Sequence, residues 1–279
     1  MEIGIFTKTF EHDSLDGVLA AVCEANLGCV QFNMVCAVGS SLPEFIEPVT
    51  ADSICQAFSR RKIKMSAVSG TCNLIHPDPE QRQAGIDRVK TLIDSCDELG
   101  TSVVSLCTGS RDADNMWRAH PDNESPQAWQ DMVEAFKELL PVAEEHDVML
   151  GVEPELANVI NSAQKARQLI DELGSSHVKI IMDGANLLTA DQRPAMKDIL
   201  SESIGLLADD IVIAHAKDIA SDPAVGHVAA GEGCLDYDHY LACLKSAGFE
   251  GPLILHGLSE GQVSQSVSFL ESRLNQIRV

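Results

Sequence analysis

Four apolar segments in the second half of the chain each end on an acidic residue or a histidine. They read GVEPE, IIMDGAN, VIAHAKD and LILHG, and the residues at their ends are Glu153, Asp183, His215 and His256. Carboxylates and imidazoles together bind hard or borderline divalent cations such as Mn²⁺, Zn²⁺, Co²⁺ or Mg²⁺. Because buried strand ends rarely collect charge without a partner, these residues predict one divalent-metal site.

The four residues can converge only if the segments that carry them are neighbouring strands. Eight short apolar runs alternate with eight amphipathic stretches along the 279 residues, and this alternation is typical of parallel βα units. The predicted strands are residues 3–7, 29–33, 63–69, 102–107, 148–153, 178–183, 211–215 and 253–256. The predicted helices are residues 15–27, 52–61, 79–99, 126–146, 162–173, 194–208, 237–247 and 261–274.

This alternation predicts an α/β protein, a single-domain (β/α)8 barrel (TIM barrel) over residues 1–279. About 250 residues is typical for such a barrel, and no linker or low-complexity tract divides the sequence. A doubly wound open sheet is the alternative. Its first βα turn is normally glycine-rich, whereas the turn here reads TKTF. In a barrel the active site gathers at the C-terminal ends of the strands, where the four candidate ligands lie.

The composition limits the kinds of partner. The formal charge is −22, from 20 basic and 42 acidic residues, and such a field argues against nucleic acid. No apolar run reaches the roughly 18 residues of a membrane span, and the N-terminus MEIGIFTKTF has no signal-peptide pattern. The nine cysteines lack the spacing of a zinc knuckle and lie mostly in apolar segments. Reduced, buried thiols predict a cytoplasmic protein without a membrane partner.

At these motifs the chain resembles the xylose-isomerase-like TIM barrels, the sugar phosphate isomerase/epimerase superfamily. The resemblance runs through LGCVQF, HPDPEQR, GVEPE, IMDGANLL, HAKD and GEGCLDYDHYL, which together span nearly the whole chain. It implies that a glutamate, an aspartate, a histidine and a second glutamate, from strands five to eight, bind the metal. Glu153, Asp183 and His215 match this pattern. The eighth strand departs from it, because His256 stands where the family has glutamate, and Glu260 is a second candidate for that place.

The resemblance implies a divalent-metal-dependent isomerase or epimerase that acts on a small sugar or polyol ketone. In that chemistry one group removes a proton from the carbon α to a metal-bound carbonyl, and a second group returns it to the enediolate. Glu153 and His256 are the predicted acid/base pair. Lys217 is the third catalytic candidate, because its ammonium group on the loop after His215 could steady an enediolate oxygen. A loop ion pair is the other interpretation of Lys217.

Five further residues are candidates for binding the substrate. His76 lies on the loop after the third strand, which often lines the pocket in relatives. Asn186 could hydrogen-bond a substrate hydroxyl or a neighbouring ligand, and Glu155 could support the metal site. Trp117 lies in a long loop after the fourth strand and is predicted to form the apolar wall of a lid, with an oligomer contact as the alternative. Arg193 could bind an anionic group, although an exposed ion pair is its commoner role.

Three other functions remain open on the sequence alone. A metal-dependent dehydratase of the inosose or dehydroshikimate type would use the same proton abstraction. A zinc phosphodiesterase would need a trinuclear cluster with more histidines and a basic groove. An inactive, metal-free barrel is suggested by the missing glutamate of the eighth strand. The resemblance also allows a homo-oligomer, because relatives are often dimers or tetramers.

Overall fold

Eight parallel strands close into a barrel in the computed structural model, which describes residues 1–222 and 224–277. The strands of these ranges are β1 (Glu2–Phe6), β2 (Cys29–Phe32), β3 (Lys64–Ser69), β4 (Val103–Leu106), β5 (Met149–Val152), β6 (Val178–Asp183), β7 (Ile211–Ile219), β8 (His227–Ala229) and β9 (Pro252–Leu255). β8 lies outside the barrel. Consecutive barrel strands pair in parallel, and the pairs β6–β7, β7–β9 and β9–β1 complete the circle. The predicted TIM barrel is therefore confirmed.

Helices connect the strands and surround the barrel. Those in the described ranges are α1 (Leu15–Glu24), α2 (Val35–Val38), α3 (Pro48–Arg61), α4 (Pro79–Asp94), α5 (Cys96–Leu99), α6 (Pro126–Glu145), α7 (Ala163–Leu173), α8 (Met196–Leu207), α9 (Tyr237–Ser246) and α10 (Val263–Ile277). Five begin after a side chain that accepts a hydrogen bond from the first turn, namely Ser14, Asp78, Ser125, Ser162 and Asp236. Within residues 1–222 and 224–277, no helix is long and apolar enough to cross a membrane.

Several helix boundaries differ from the predictions by one to four residues, and one predicted helix is divided. α3 begins one turn earlier than expected, at Pro48, because proline suits the first helical position, where the backbone needs no N–H donor. α1 ends earlier than expected, at Glu24, and Asn26 with φ of 55° then turns the chain toward β2. The third predicted helix is divided into α4 and α5 at Ser95.

The seventh strand is longer than predicted, and an antiparallel hairpin follows it. β7 continues past His215 to Ile219, and β8 pairs with its end so that Lys217 lies opposite Ala229. The β8 segment reads HVA, which is too short to indicate a strand from its pattern. Lys217 therefore lies within a strand and not on a loop, as the sequence had suggested, so its position is set by the sheet.

Two layers of apolar side chains hold the barrel together. The smaller cluster consists of Cys29, Ala67, Val103, Ile181, Ile213 and Ile254, all of them on barrel strands. A larger cluster packs the strands against the surrounding helices. Aromatic residues make up only 4% of the chain, so small and branched side chains fill this core, as is common in such barrels.

One buried carboxylate fixes the segment that follows the β7–β8 hairpin. Asp218 is 1% exposed, and its Oδ1 accepts the backbone N–H groups of Ile219 and Leu235, both at 2.8 Å. Its Oδ2 accepts those of Gly231 at 3.0 Å and Gly233 at 3.1 Å. Because buried N–H groups need an acceptor, Asp218 holds the GEGCL segment against β7.

Replacement of Asp218 tests this arrangement. Asp218→Ala should lower the free energy of unfolding by roughly 3 kcal/mol or more, because several buried N–H groups lose their acceptor and each costs about 1–3 kcal/mol. Urea unfolding followed by circular dichroism measures the change. Asp222→Ala is the matched control, because Asp222 is exposed in the same hairpin and accepts one N–H group, that of Ala224. Equal losses in the two variants would contradict a special role for Asp218.

Candidate active site

Three of the predicted metal ligands meet at the C-terminal mouth of the barrel. Glu153 follows β5, His215 lies in β7 and His256 follows β9. One candidate ligand atom from each of them lies within 4.8 Å of the other two. Glu153 and His215 are buried, and His256 is half-buried. The strand ends therefore bring these side chains together, as expected for a barrel.

A cavity of about 320 Å³ opens onto this group of three residues. Its lining also includes hydrogen-bonding and aromatic side chains from the first half of the chain, among them Phe6, Gln31, Asn33, Ser69, Thr71 and Trp117. Such a mixture of apolar walls and a few placed polar groups is typical of a small-molecule site.

Asp183 lies beside the three-residue group and not within it. Its Oδ1 accepts the backbone N–H of Ala185 at 2.9 Å. Its Oδ2 is 3.1 Å from Lys217 Nζ and 3.7 Å from His215 Nδ1. No donor in the described ranges makes a well-formed hydrogen bond to this buried oxygen. A buried carboxylate oxygen without a hydrogen bond is costly, and its lone pairs are available to an added cation.

Asn186 connects Lys217 to Glu153. Lys217 Nζ donates to Asn186 Oδ1 at 2.7 Å, and Asn186 Nδ2 donates to Glu153 Oε1 at 2.8 Å. Because an ammonium group can only donate, the amide must turn its NH₂ group toward the carboxylate. His215 Nδ1 lies 3.3 Å from the same Oε1. The other oxygen, Oε2, contacts Cys107 Sγ at 3.9 Å beside the cavity that both residues line.

Two buried cations keep the two carboxylates ionised. Burial alone would raise the pKa of Glu153 and of Asp183, but His215 and Lys217 bring both values below the ordinary range of a carboxyl group. The attraction acts equally on the cations. Burial alone would lower the pKa of His215 and of Lys217, but the carboxylates raise both, that of His215 to about 9.

Burial shifts the pKa of His256 and that of Glu155 toward the uncharged form of each side chain. Burial and the neighbouring His215 lower the pKa of His256 to about 4, so its imidazole is neutral at pH 7. The His256 ring centroid is 5.1 Å from that of His215 and 5.4 Å from that of Phe6. Burial raises the pKa of Glu155 to about 7, although Lys217 opposes the shift. Glu155 therefore lies within the field of Lys217, and its support of the metal site stays a prediction.

Trp117 lines the cavity, and hydrogen bonds fix the loop that carries it. The side chain is 51% exposed. Asn158 holds the loop at two points, since its Oδ1 accepts the N–H of Gly109 at 2.7 Å and its Nδ2 donates to Met116 O at 3.0 Å. Trp117 therefore lines the cavity, while its role as an apolar wall and the movement of the loop as a lid stay predictions.

His76 and Arg193 lie away from the lining of this cavity. His76 Nε2 is 3.0 Å from the carbonyl oxygen of Ala113, and its Nδ1 accepts the N–H of Asp78 at 3.1 Å. The Arg193 guanidinium donates to the carbonyl oxygens of Ala220 and Ser221, after β7. Both side chains thus hold loops at the mouth of the barrel, and their roles in substrate binding stay predictions.

Gln31 is a site residue that the sequence analysis missed. It lies in β2, 5% exposed, and its Oε1 is 2.8 Å from His215 Nε2. Its Nε2 donates to Ser105 Oγ at 3.1 Å. A signal was present, because Gln31 is the single polar residue in the apolar strand CVQF. A polar side chain buried in a strand needs a partner.

The donor set fits a divalent cation. It combines one ionised carboxylate and two imidazoles on converging strands, with Asp183 Oδ2, which is ion-paired with Lys217, next to His215. Two histidines with carboxylates suit Zn²⁺, Mn²⁺, Co²⁺ or Fe²⁺. Glu153, His215 and His256, with Asp183 beside them, are therefore the residues that could hold a metal.

The buried His215 makes the stability of the metal-free protein depend on pH. Its pKa is about 9 in the folded chain against an ordinary value of 6.5. Its contribution is therefore fully present below about pH 6.5 and is lost as the pH rises to about 9. Urea unfolding of chelator-treated protein at several pH values should show this decline. His215→Gln should show a flatter profile between these pH values, and identical slopes in the two proteins would contradict the assignment.

The amino-acid sequence is similar to one protein-family model and to curated sugar epimerases. A family model described as xylose isomerase-like TIM barrel matches residues 20–273. L-ribulose-5-phosphate 3-epimerase UlaE of Shigella flexneri serotype 5b is 26% identical over 188 residues, which are 67% of this chain and 61% of that protein. The chain thus spans about three fifths of the length of this curated relative.

Solved structures share the fold at low sequence identity. The structure of 3-keto-D-glucoside 4-epimerase YcjR from E. coli superimposes with a TM-score of 0.77 at 18% sequence identity. The match covers 98% of this chain and 99% of the YcjR chain. That of the IOLI protein, which holds a zinc atom, has a TM-score of 0.71 at 18% identity and covers 96% of both chains. With the family model matching residues 20–273, the chain belongs to the xylose isomerase-like TIM barrel family.

Proposed function

We propose that this protein is a sugar epimerase or isomerase that moves a proton at the carbon α to a ketone. The observation that carries the proposal is the placement of an ionised carboxylate, Glu153, and a neutral imidazole, His256, on one small cavity. The names of the relatives agree with it, since UlaE is called a ribulose-phosphate 3-epimerase and YcjR a ketoglucoside 4-epimerase.

Glu153 is the proposed base. Its Oε1 is engaged by Asn186 and His215, which leaves Oε2 beside the cavity to accept a proton. Its lowered pKa keeps it ionised at neutral pH. A base near a substrate carbon needs this combination of correct protonation and fixed direction.

His256 is the proposed partner that returns a proton. Its imidazole is neutral at pH 7, so it takes a proton from solvent on its free ring nitrogen and delivers it to the opposite face of the enediolate. Glu153 releases the proton that it removed to solvent, which completes the cycle. His256 would replace the second carboxylate of the family pattern with a group of no net charge.

Lys217 is proposed as a positioning residue. Its ammonium group binds Asn186 and Asp183, both buried, and is itself 5% exposed. It therefore acts on the base through Asn186 and does not meet the substrate in this arrangement.

A divalent cation completes the proposed site, with Glu153 and His215 as ligands, Asp183 beside them, and the single lone pair of His256 kept for the proton. When bound, it would polarise the substrate carbonyl and stabilise the negative charge that develops on the oxygen. A trinuclear zinc site of the phosphodiesterase type would need a larger cluster with more histidines, whereas the group of candidate ligands found in the described ranges has three members, two of them histidines.

A small polyhydroxy ketone is the proposed substrate class. Asn33, Ser69 and Thr71 supply neutral hydrogen-bonding groups for hydroxyls. Trp117 supplies an apolar face for the carbon-bound hydrogens of a sugar. The cavity of about 320 Å³ suits one small sugar and not a polymer.

Proton exchange with solvent tests the proposal. The protein, loaded with Mn²⁺, Co²⁺ or Zn²⁺, is incubated in D₂O with free and phosphorylated ketopentoses and ketohexoses, and NMR follows deuterium at the α-carbon. Glu153→Gln should abolish incorporation, because the amide cannot accept the proton, while circular dichroism stays unchanged. Full activity in Glu153→Gln would remove this residue from the mechanism.

Glu260→Gln is the matched control for this experiment. Glu260 is exposed and pairs with His12 at 3.2 Å, outside the cavity lining, so its loss should leave exchange unchanged. Loss of water from a cyclic or acyclic polyol ketone, with no epimer formed, would favour the dehydratase alternative. Absence of both exchange and metal binding would favour the inactive barrel.

A further inference from the structure

Gln31 in β2 connects the candidate metal ligand His215 in β7 to Ser105 in β4 through two hydrogen bonds. The three side chains of this chain of contacts are all buried, Gln31 at 5% exposed, Ser105 at 3% and His215 at 1%. Ser105 Oγ accepts from Gln31 Nε2 at 3.1 Å, and Gln31 Oε1 meets His215 Nε2 at 2.8 Å. They come from β2, β4 and β7, so three separate strands fix the arrangement.

The orientation of the Gln31 amide sets the direction of both hydrogen bonds, because the Ser105 hydroxyl can donate or accept. The NH₂ group of Gln31 is turned toward Ser105, so its carbonyl oxygen is the atom that faces the imidazole. A carbonyl oxygen can only accept, and His215 Nε2 must therefore carry a proton. In the neutral imidazole the lone pair is then on Nδ1.

Nδ1 is the nitrogen that faces the carboxylates. It lies 3.3 Å from Glu153 Oε1 and 3.7 Å from Asp183 Oδ2. A cation held among these groups would need an imidazole nitrogen with a free lone pair on that side. The opposite tautomer would place a proton there and leave the carbonyl oxygen of Gln31 facing a second lone pair.

We propose that Gln31 is a positioning residue that selects the Nε2-protonated tautomer of His215 and so prepares Nδ1 to bind a metal. Ser105 contributes by holding the Gln31 amide in the required orientation. This inference rests on the proposed function, because it concerns the same metal site. It assigns no contact between Gln31 and the reacting atoms. Hydrogen bonds to the second nitrogen of a ligating histidine commonly change metal affinity by about 10- to 100-fold.

The first measurement needs no substrate and no metal. Long-range ¹H–¹⁵N NMR of histidine-labelled, metal-free protein, at a pH where His215 is neutral, reports which ring nitrogen carries the proton. Wild type should show the Nε2–H tautomer. Gln31→Leu should shift the proton toward Nδ1, because the acceptor at Nε2 is gone while Glu153 Oε1 stays 3.3 Å from Nδ1. Gln31→Glu should retain the Nε2–H tautomer, because a carboxylate also accepts.

The second measurement is metal affinity by isothermal titration with Mn²⁺, Co²⁺ and Zn²⁺. Gln31→Leu should weaken binding by roughly 10- to 100-fold, and Gln31→Glu should restore most of it. Ser66→Ala is the matched control, because Ser66 is a buried barrel residue whose hydroxyl has no hydrogen-bond partner among the described residues. Its affinity should equal that of wild type.

The outcomes separate this inference from the proposed function. An unchanged tautomer in Gln31→Leu, or loss of the Nε2–H tautomer in Gln31→Glu, would overturn the role of Gln31 even if the enzyme is active. A wild type that shows the expected tautomer but binds no metal would instead overturn the metal site of the proposed function. If Gln31→Leu fails to fold, Ser105→Ala takes its place and should show a smaller loss in the same direction.

Discussion

The balance of charge at the buried mouth of the barrel is the constraint on which the site depends. An ionised carboxylate is costly in the interior unless an opposite charge lies beside it. Glu153 and Asp183 are buried, and Lys217 and His215 lie next to them. Each cation stabilises the ionised form of the carboxylates, and each carboxylate stabilises the charged form of the cations. The barrel makes this possible, because β5, β6 and β7 are neighbours and each brings charge to the same end.

The histidine that ends β9 fits this balance. A third carboxylate at that position would add a negative charge that the two buried cations do not match. His256 is neutral at pH 7 and adds none. The histidine at this position therefore keeps the positive and negative charges of the metal-free site balanced.

The fold was predictable from the sequence because strands and helices leave periodic patterns. The three convergent residues were predictable because apolar strands ended on them. Contacts that depend on loops left no such pattern. Arg193 bonds carbonyl groups 27 and 28 residues away, and β8 is a strand of only three residues. Gln31 reaches His215 across 184 positions, and only the closed barrel brings the two side chains into contact.

The attachment of the Trp117 loop by Asn158 has a consequence for how this protein could change over evolution. Asn158 and Glu153 both follow β5, so the short segment from residue 153 to residue 158 holds both the Trp117 loop and the proposed base. Lengthening or shortening the Trp117 loop would displace the segment that carries Asn158 and Glu153. New specificities would therefore arise more readily by exchange of single side chains that face inward than by insertions.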